Sequence, residues 1–272
     1  MKKVIFPLLL MVCFFTACTN HGEKDAQQYL DAAQQEMERG HYNKAKILVD
    51  SLRTIYPKAF EARKKSIALM QQIELGEQQV SVAFIDSVLM AKELVMATQR
   101  KRFVLQKDKK YQDIGNYFYA TQVIDKNKNR SYLRAQTDEL GNMRLTSIFV
   151  GKYPLHHSAV KATVADGSYA QTPVSTDRYT SKNLGLTTEK CDYPLQQDGG
   201  LTAFIHLNKQ KKINLYFQGK KSKKITLTTS DKKAISEIYQ FSLLLSSIQA
   251  LTKERASAQR KIAFILRKIK EK

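Results

Sequence analysis

An uncharged apolar segment near the N-terminus, residues 4–15, constrains this chain more than any other feature. It follows Lys2 and Lys3 and precedes the small residues Thr16 and Ala17, an order that is typical of a secretory signal peptide. As a helix, these residues would rise about 18 Å, which is short of the roughly 30 Å hydrocarbon core of a bilayer. The segment therefore predicts export and removal, and not a membrane span. The remaining chain is expected to fold outside the cytosol.

The end of this segment, Phe15-Thr16-Ala17-Cys18, resembles the lipobox of bacterial lipoproteins. The resemblance implies that Cys18 is lipidated and becomes the first mature residue, although Phe15 stands where an aliphatic residue is usual. Thr19 follows the cysteine, where some envelope systems read Asp as a signal for retention in the inner membrane. The resemblance therefore implies an outer-membrane lipoprotein that faces the periplasm. Plain secretion with cleavage nearby is the alternative.

The mature chain would begin at Cys18 and contain 255 residues, enough for two modest domains or for one domain with an elaborated helical part. The three cysteines do not form a disulfide framework, because Cys13 lies in the signal peptide and Cys18 would carry lipid. We expect the remaining thiol, Cys191, to be buried and inert. Pairing of Cys191 between two chains is the alternative.

Residues 25–102 are predicted to form a helical segment that follows a polar, lipidated tether at residues 18–24. Within it, residues 26–59 place small and larger apolar residues at helical spacing, with a turn at Gly40 and a terminating Pro57. This order resembles one tetratricopeptide repeat, in which Tyr42 and Leu52 would pack two antiparallel helices together. The residues that follow position 59 do not repeat this pattern, and a stable array of such repeats needs about three units. We therefore expect later helices or a partner to cover the exposed face.

Further helices are predicted at residues 60–76 and 80–102, with Gly76 as the stop between them. The second is expected to bury an apolar stripe, Phe84, Val88, Ala91 and Val95, on a face that is widened by Ile85, Leu89, Met90, Leu94 and Met96. A long basic helix is predicted at residues 230–272, with a cap at Ser230-Asp231. Its heptad seam contains eight residues: Leu244, Ile248, Leu251, Arg255, Ala258, Ile262, Ile265 and Ile269. We expect this seam to pack within the chain, and a homodimeric coiled coil is the alternative.

Residues 103–229 are predicted to form a β-rich module, because short aromatic and β-branched runs alternate with turns. Gly141-Asn142 and Asp166-Gly167 indicate two hairpins. Further strands are expected at residues 103–105, 117–124, 201–207, 213–217 and 224–228, with a loop at 193–200. The predicted fold class is α+β: an N-terminal helical, tetratricopeptide-like segment and an antiparallel sandwich or sheet of about eight strands. This module would be inserted between two long helices that pair.

The sequence contains no Walker loop and no G-x-S-x-G, H-E-x-x-H or C-x-x-C motif. His156, His157, His206 and Cys191 are candidate metal ligands, but adjacent histidines on a strand point to opposite faces. We therefore expect no catalytic residue, no metal site and no cofactor. Nine of the 13 tyrosines lie between Tyr111 and Tyr216, which suits either a core or a binding surface.

The formal charge of +20 is spread unevenly. Residues 209–272 contain 17 Lys or Arg against four acidic residues, a net of +13. For an exported protein, an anionic lipid or polysaccharide surface is a better partner than nucleic acid. The candidate contacts are six: Lys220, Lys221, Lys223, Lys224, Arg267 and Lys268. Lysines at strand edges also prevent aggregation, and cations are favourable near a helix C-terminus.

Taken together, these features predict a non-enzymatic envelope lipoprotein that is held to the membrane through Cys18. The helical segment would bind a partner protein and act as an interaction or scaffold module. The alternative is a polysaccharide-binding or hydrolytic β-module carried on a helical spacer.

Overall fold

The computed structural model describes residues 17–271, with side chains from Gly22 onward. In this part of the chain the fold is α+β, with two long helices that flank a sheet region in sequence. The helices are α1 (Ala17–Glu38), α2 (Tyr42–Ile55), α3 (Phe60–Arg100), α4 (Leu201–Leu207) and α5 (Thr229–Lys270). The strands are β1 (Phe103–Gln106), β2 (Asn116–Tyr119), β3 (Tyr132–Asp138), β4 (Met143–Gly151), β5 (Ala159–Thr163), β6 (Tyr169–Gln171), β7 (Asp177–Asn183), β8 (Leu186–Pro194), β9 (Asn214–Gln218) and β10 (Ser222–Thr226). The predicted fold class is confirmed.

The described residues form two compact units. Unit 1 contains the residues up to Val88 together with those from Lys253 onward, and unit 2 is Leu89–Thr252. Helices α3 and α5 each contribute residues to both units. The predicted signal peptide, residues 1–17, lies outside the described part except for Ala17, and so does the side chain of Cys18.

Unit 1 is built on the α1–α2 hairpin that the sequence predicts at residues 26–59. Ala26, Ala33 and Ala45 are fully buried, and such small residues allow two helices to approach closely. Leu52 is also fully buried and Tyr42 packs against the same core, which confirms their role in packing. The residues of the predicted tether belong to α1.

The segment predicted as a tether is fastened to the rest of unit 1 by Glu23. Oε1 of Glu23 accepts the backbone N–H of Ala62 at 2.7 Å. Because α3 begins at Phe60, this bond satisfies one of the N–H groups that the first turn of a helix leaves without a partner. Glu23 thus connects α1 to the start of α3.

The predicted helix stop at Gly76 is wrong, because α3 runs without a break from Phe60 to Arg100. A Cβ atom at Gly76 would lie 2.8 Å from Cε1 of Tyr42. The glycine therefore makes room for the Tyr42 ring, and it does not end the helix.

The apolar stripe predicted on this helix is also wrong. Phe84 is 66% exposed, and Val95 is exposed as well, whereas Ile85 is buried in unit 1 and Leu89 is buried in unit 2. The buried positions thus belong to the wider predicted face and lie one residue beyond positions of the stripe itself. The apolar residues of α3 cover more than one face, so their spacing does not decide which face is buried.

The heptad seam of α5 packs within the chain except at Ile269, which is exposed. Ile248 is buried in unit 2, and Ala258 and Ile265 are buried in unit 1. Arg255, the polar position of the seam, donates from Nε to Oδ1 of Asp86 at 2.5 Å. This ion pair joins α3 to α5 inside unit 1, so the two long helices are neighbours there.

Unit 2 contains a six-stranded sheet in the order β1-β2-β3-β4-β8-β7 and a four-stranded sheet in the order β10-β9-β5-β6. All pairings are antiparallel, and both predicted hairpins, β3–β4 and β5–β6, are present. Leu133 and Leu145 of the larger sheet belong to the same core cluster as Leu215 and Phe217 of the smaller sheet. Phe241 of α5 completes this core and stacks on Phe103 with ring centroids 4.4 Å apart.

Two predicted strands differ from the structure. Residues 201–207 form the short helix α4, with Leu201 and Ile205 fully buried at helical spacing. A short apolar run is compatible with either a helix or a strand, which explains the error. The strand predicted at 117–124 ends at Tyr119. Beyond it, the side-chain amide of Gln122 donates to the Leu133 carbonyl and accepts the Ala135 N–H, both at 2.8 Å.

Strands β7 and β8 are absent from the sequence prediction, which has a loop at 193–200 where β8 ends with Tyr193 and Pro194. The inward positions of β8 include Thr187, Glu189 and Cys191. Because its buried face contains these polar residues, β8 does not show the apolar alternation by which a strand is recognised.

Candidate functional site

A buried chain of hydrogen bonds crosses the β4–β8 pair of unit 2. Nε2 of His157 lies 2.9 Å from Oγ of Ser147, and Nδ1 of His157 lies 2.8 Å from Oε2 of Glu189. Burial lowers the pKa of His157, although Glu189 opposes this shift. Burial acts to raise the pKa of Glu189, but the hydrogen bonds from His157 and from backbone N–H groups outweigh it and lower that pKa. We therefore assign a neutral imidazole and an ionised carboxylate.

This Ser–His–Glu arrangement has the connectivity of a hydrolase triad, but it is enclosed. Ser147 is 0% exposed, His157 is 3% exposed and Glu189 is 2% exposed. Glu189 also accepts the backbone N–H groups of His156 and His157 at 2.8 and 3.0 Å. The Glu189 carboxylate therefore holds the loop between β4 and β5 in place. The Ser147–His157–Glu189 hydrogen bonds can thus be explained by this structural role.

Cys191 lies beside this network. Its Sγ donates to the carbonyl of His157 at 3.2 Å, and the side chain is buried. Burial raises the pKa of this thiol to about 11. The expectation of a buried, unreactive cysteine is confirmed, and a folded chain does not present this sulfur for pairing with a second one.

Two adjoining clefts, together called the β7 cleft, lie at the free edge of the larger sheet. Their volumes are about 510 and 280 Å³, and both are lined by His156 and Thr180. The remaining lining residues are Lys152, Tyr153, Pro154, His157, Thr176, Arg178, Tyr179, Ser181, Lys182, Gly185, Thr187, Glu189 and Lys190. The backbone of His156 has φ of +53°, which is an uncommon conformation for a residue with a side chain.

The β7 cleft is basic. Arg178 and Lys182 are exposed on β7, and Lys152 is exposed on the loop that faces it. Among the described residues, none of these three cations has an acidic partner within ion-pair distance. The sequence prediction did not include them. The sequence signal that could have indicated this strand is the placement of Arg178, Thr180 and Lys182 at every second position before a turn. The turn lies at Leu184-Gly185, where φ is +47° and +77°.

A second cleft, called the helical groove, lies within unit 1 and has a volume of about 480 Å³. It is lined by Lys46 of α2, by Glu74, Glu77 and Gln78 of α3, and by Ser257, Arg260, Lys261, Phe264 and Ile265 of α5. Lys46 is paired with Glu77, with Nζ and Oε2 2.5 Å apart. Arg260 and Lys261 have no such partner among the described residues, and Phe264 is 53% exposed.

The six basic residues predicted as surface contacts are divided between the two units. Lys223 and Lys224 lie on the edge strand β10, and Lys220 and Lys221 lie in the turn before it, all of them exposed. These four belong to unit 2. The other two, Arg267 and Lys268, belong to unit 1 and lie 3.7 and 3.3 Å from oxygens of Glu271, which partly offsets their charge.

The described residues contain no group of three or more His, Cys, Asp or Glu side chains arranged to hold a metal ion. Within the same residues, no helix has the length and apolar character needed to cross a membrane. Comparison with known protein families, with curated proteins and with solved structures found no match for this chain.

Proposed function

We propose that this chain is a non-enzymatic envelope lipoprotein, anchored to the outer membrane through Cys18, whose helical groove binds a segment of a partner protein. The observation that carries the proposal is the groove in unit 1, where Arg260 and Lys261 lack acidic partners and the apolar ring of Phe264 is exposed beside them. The α1–α2 hairpin, which resembles a single tetratricopeptide repeat, shares its core with α3, and Glu74, Glu77 and Gln78 of α3 line the groove.

The lining of the groove favours a protein over a simple polyanion. Its α5 wall is cationic and partly apolar, whereas its α3 wall contributes Glu74, which has no basic partner among the described residues. A polyanion would be repelled by Glu74, but a polypeptide can offer acidic, basic and apolar side chains in one segment. Specific interfaces combine such an apolar centre with charges of complementary sign.

A site-specific photo-crosslinker tests this proposal in intact cells. Placed at Gln78, which lines the groove, it should give one discrete protein adduct; placed at Gln72, which is exposed on the same helix outside the groove, it should give none. The double variant Arg260→Glu/Lys261→Glu should abolish the adduct. The matched control Lys253→Glu/Lys270→Glu changes two exposed lysines of α5 outside the groove and should retain it.

Purification of the captured protein then provides a direct binding measurement. The groove variant should weaken the complex at least about tenfold, because residues that contact a partner at the centre of an interface carry most of its binding energy. Equal adducts from Gln72 and Gln78, or an adduct that survives the groove substitutions, would contradict the proposal.

The hydrolytic alternative has one observation in its favour, the bonded order Ser147–His157–Glu189. We prefer the binding function because all three side chains are buried and neither the β7 cleft nor the helical groove is lined by Ser147. A fluorophosphonate probe, which labels activated serines, should leave the wild type unlabelled. Labelling that disappears in Ser147→Ala would favour the hydrolase.

A further inference from the structure

The β7 cleft presents two cations on one face of one strand. Arg178, Thr180 and Lys182 occupy every second position of β7. In the strand register, Arg178 lies opposite Cys191 of β8 and Lys182 lies opposite Thr187, and both of these β8 residues face inward. Side chains two and four positions apart on a strand share a face. The Cα atoms of Arg178 and Lys182 are therefore roughly 13 Å apart along the strand. One small anion cannot contact both side chains fully, but an extended chain with repeated anionic groups can.

The positive charge of this face is not compensated within the cleft. Glu189 is its only acidic lining residue, and its two oxygens already accept two backbone N–H groups and face Nδ1 of His157. Asp177, which precedes Arg178, lies 3.5 Å from Arg144. Arg178, Lys182 and Lys152 thus remain available to an external anion.

The uncharged groups of the cleft suit a sugar chain. Tyr153 is 70% exposed and offers an apolar ring with a polar tip. Thr176, Thr180 and Ser181 line the cleft with hydroxyl groups, which can act as donor or acceptor toward sugar hydroxyls. Lys152 lies beside the Tyr153 ring, 5.8 Å from its centroid, so one end of the cleft combines an aromatic surface with a cation.

We propose that the β7 cleft binds a segment of acidic polysaccharide. Arg178 and Lys182 contact the anionic groups of two separated sugar residues, and Tyr153 contacts a sugar ring. The choice of a saccharide over a nucleic acid rests on the proposed export of the chain. The binding of an extended polyanion rests on the cleft alone.

Binding of oligogalacturonate, a chain of uronic acids, to the full chain purified in detergent tests this proposal. The wild type should bind the acidic oligosaccharide, and binding of its methyl-esterified, uncharged form should be at least about tenfold weaker. Arg178→Gln/Lys182→Gln should weaken binding of the acidic form at least about tenfold, because the loss of even one charge-assisted hydrogen bond accounts for about that factor. Tyr153→Ala should also weaken it.

The matched control is Lys209→Gln/Lys212→Gln, which removes the same charge from exposed residues of unit 2 outside the cleft and should bind as the wild type does. Equal loss in this control would overturn the assignment to the β7 cleft, since net charge would then be responsible. Equal or tighter binding of single-stranded DNA, or of vesicles rich in phosphatidylglycerol, would overturn the assignment to a polysaccharide. Fatty-acid labelling of Cys18 tests the lipid anchor separately, so failure of the anchor and failure of the cleft give different results.

Discussion

Glu36 anchors the turn between α1 and α2 through three basic side chains. Its carboxylate is buried, and its oxygens lie 2.8 Å from Nδ1 of His41, 3.0 Å from Nζ of Lys44 and 3.1 Å from Nη1 of Arg39. The hydrogen bonds with His41 and Lys44 lower the pKa of Glu36 from 4.5 to about 2. A single carboxylate therefore fixes the geometry of the hairpin on which unit 1 is built.

This shift predicts a dependence of stability on pH. Because the folded pKa of Glu36 lies below the unfolded value of 4.5, its contribution is complete above that value and is lost as the pH falls towards about 2. Glu36→Gln should therefore lower the free energy of unfolding at pH 7, and the difference from the wild type should vanish near pH 2. Urea denaturation across this range measures it. Glu38→Gln, at an exposed carboxylate of the same helix, is the control, and a Glu36→Gln effect that persists at pH 2 would contradict the assignment.

Gly76 and Tyr42 form a pair whose coupling can be measured. In an exposed helix, Gly→Ala stabilises by up to about 1 kcal/mol, but here the added methyl group would lie 2.8 Å from Cε1 of Tyr42. Gly76→Ala should therefore destabilise the wild type by about 1 kcal/mol. In the Tyr42→Ala background, the same change should stabilise by about 0.5–1 kcal/mol. A double-mutant cycle from denaturant unfolding gives both values, and the same sign in both backgrounds would show that the ring is not the obstacle.

At the scale of elements, the capping of α5 joins a local signal to a distant contact. The Thr228 hydroxyl accepts the backbone N–H of Asp231 at 3.0 Å and donates to Oδ2 of Asp231 at 2.8 Å. The bond from the Asp231 N–H makes Thr228 the N-cap of α5, and it corrects the predicted cap at Ser230-Asp231. Arg130 adds a bidentate contact to the Asp231 carboxylate, with nitrogen–oxygen distances of 2.6 and 3.0 Å.

Asp231→Ala should therefore destabilise unit 2 by about 2 kcal/mol or more, because it removes the carboxylate that accepts the Thr228 hydroxyl and leaves Arg130 without its partner. Partial exposure of Arg130, whose side chain is 36% accessible, places the effect below that of a fully buried pair. Ser230→Ala, at the neighbouring exposed residue, should change stability by less than about 0.5 kcal/mol. Thermal unfolding of both variants measures the two effects, and comparable losses would contradict the role assigned to the Asp231 carboxylate.

The elements that the sequence predicted are those whose signal is local. Gly141 and Gly167 occupy the positive-φ positions of their hairpins, and glycine is the residue that such turns require. Gly76 was misinterpreted because its reason is a ring on another helix. Strand β8 was missed because its inward residues include Glu189 and Cys191, which the sequence does not mark as buried. Both form hydrogen bonds with His157, and only folding brings that partner close to them.

The same distinction applies to the candidate sites. The lysine run around Lys220 is visible in the sequence because its charges are consecutive. Arg178 and Lys182 are separated by uncharged residues and become a pair only when β7 adopts its pleat. The helical groove is harder still to predict, because Lys46 and Arg260 lie more than 200 positions apart in the chain.

For the whole molecule, the distribution of charge bears on how the chain meets a membrane. Residues 89–252, which form unit 2, contain 26 Lys or Arg against 13 acidic residues. The described residues of unit 1 contain 16 Lys or Arg against 12 acidic residues. Most of the net charge thus lies in unit 2, whereas the proposed lipid site, Cys18, lies in the first turn of α1, in unit 1. Electrostatic adsorption and lipid anchoring are therefore separable by mutation.

Salt extraction of membranes distinguishes the two modes of attachment. In 1 M salt the Debye length falls to about 3 Å, so lysine contacts with anionic lipid should be screened while acyl chains remain inserted. The wild type should stay with the membrane fraction, and Cys18→Ser should be released and should incorporate no radioactive fatty acid. Cys191→Ala is the control, because its thiol is buried and should not affect attachment. If Cys18→Ser stays bound in 1 M salt, neither lipid at this cysteine nor surface charge explains the attachment, and the proposed anchor fails.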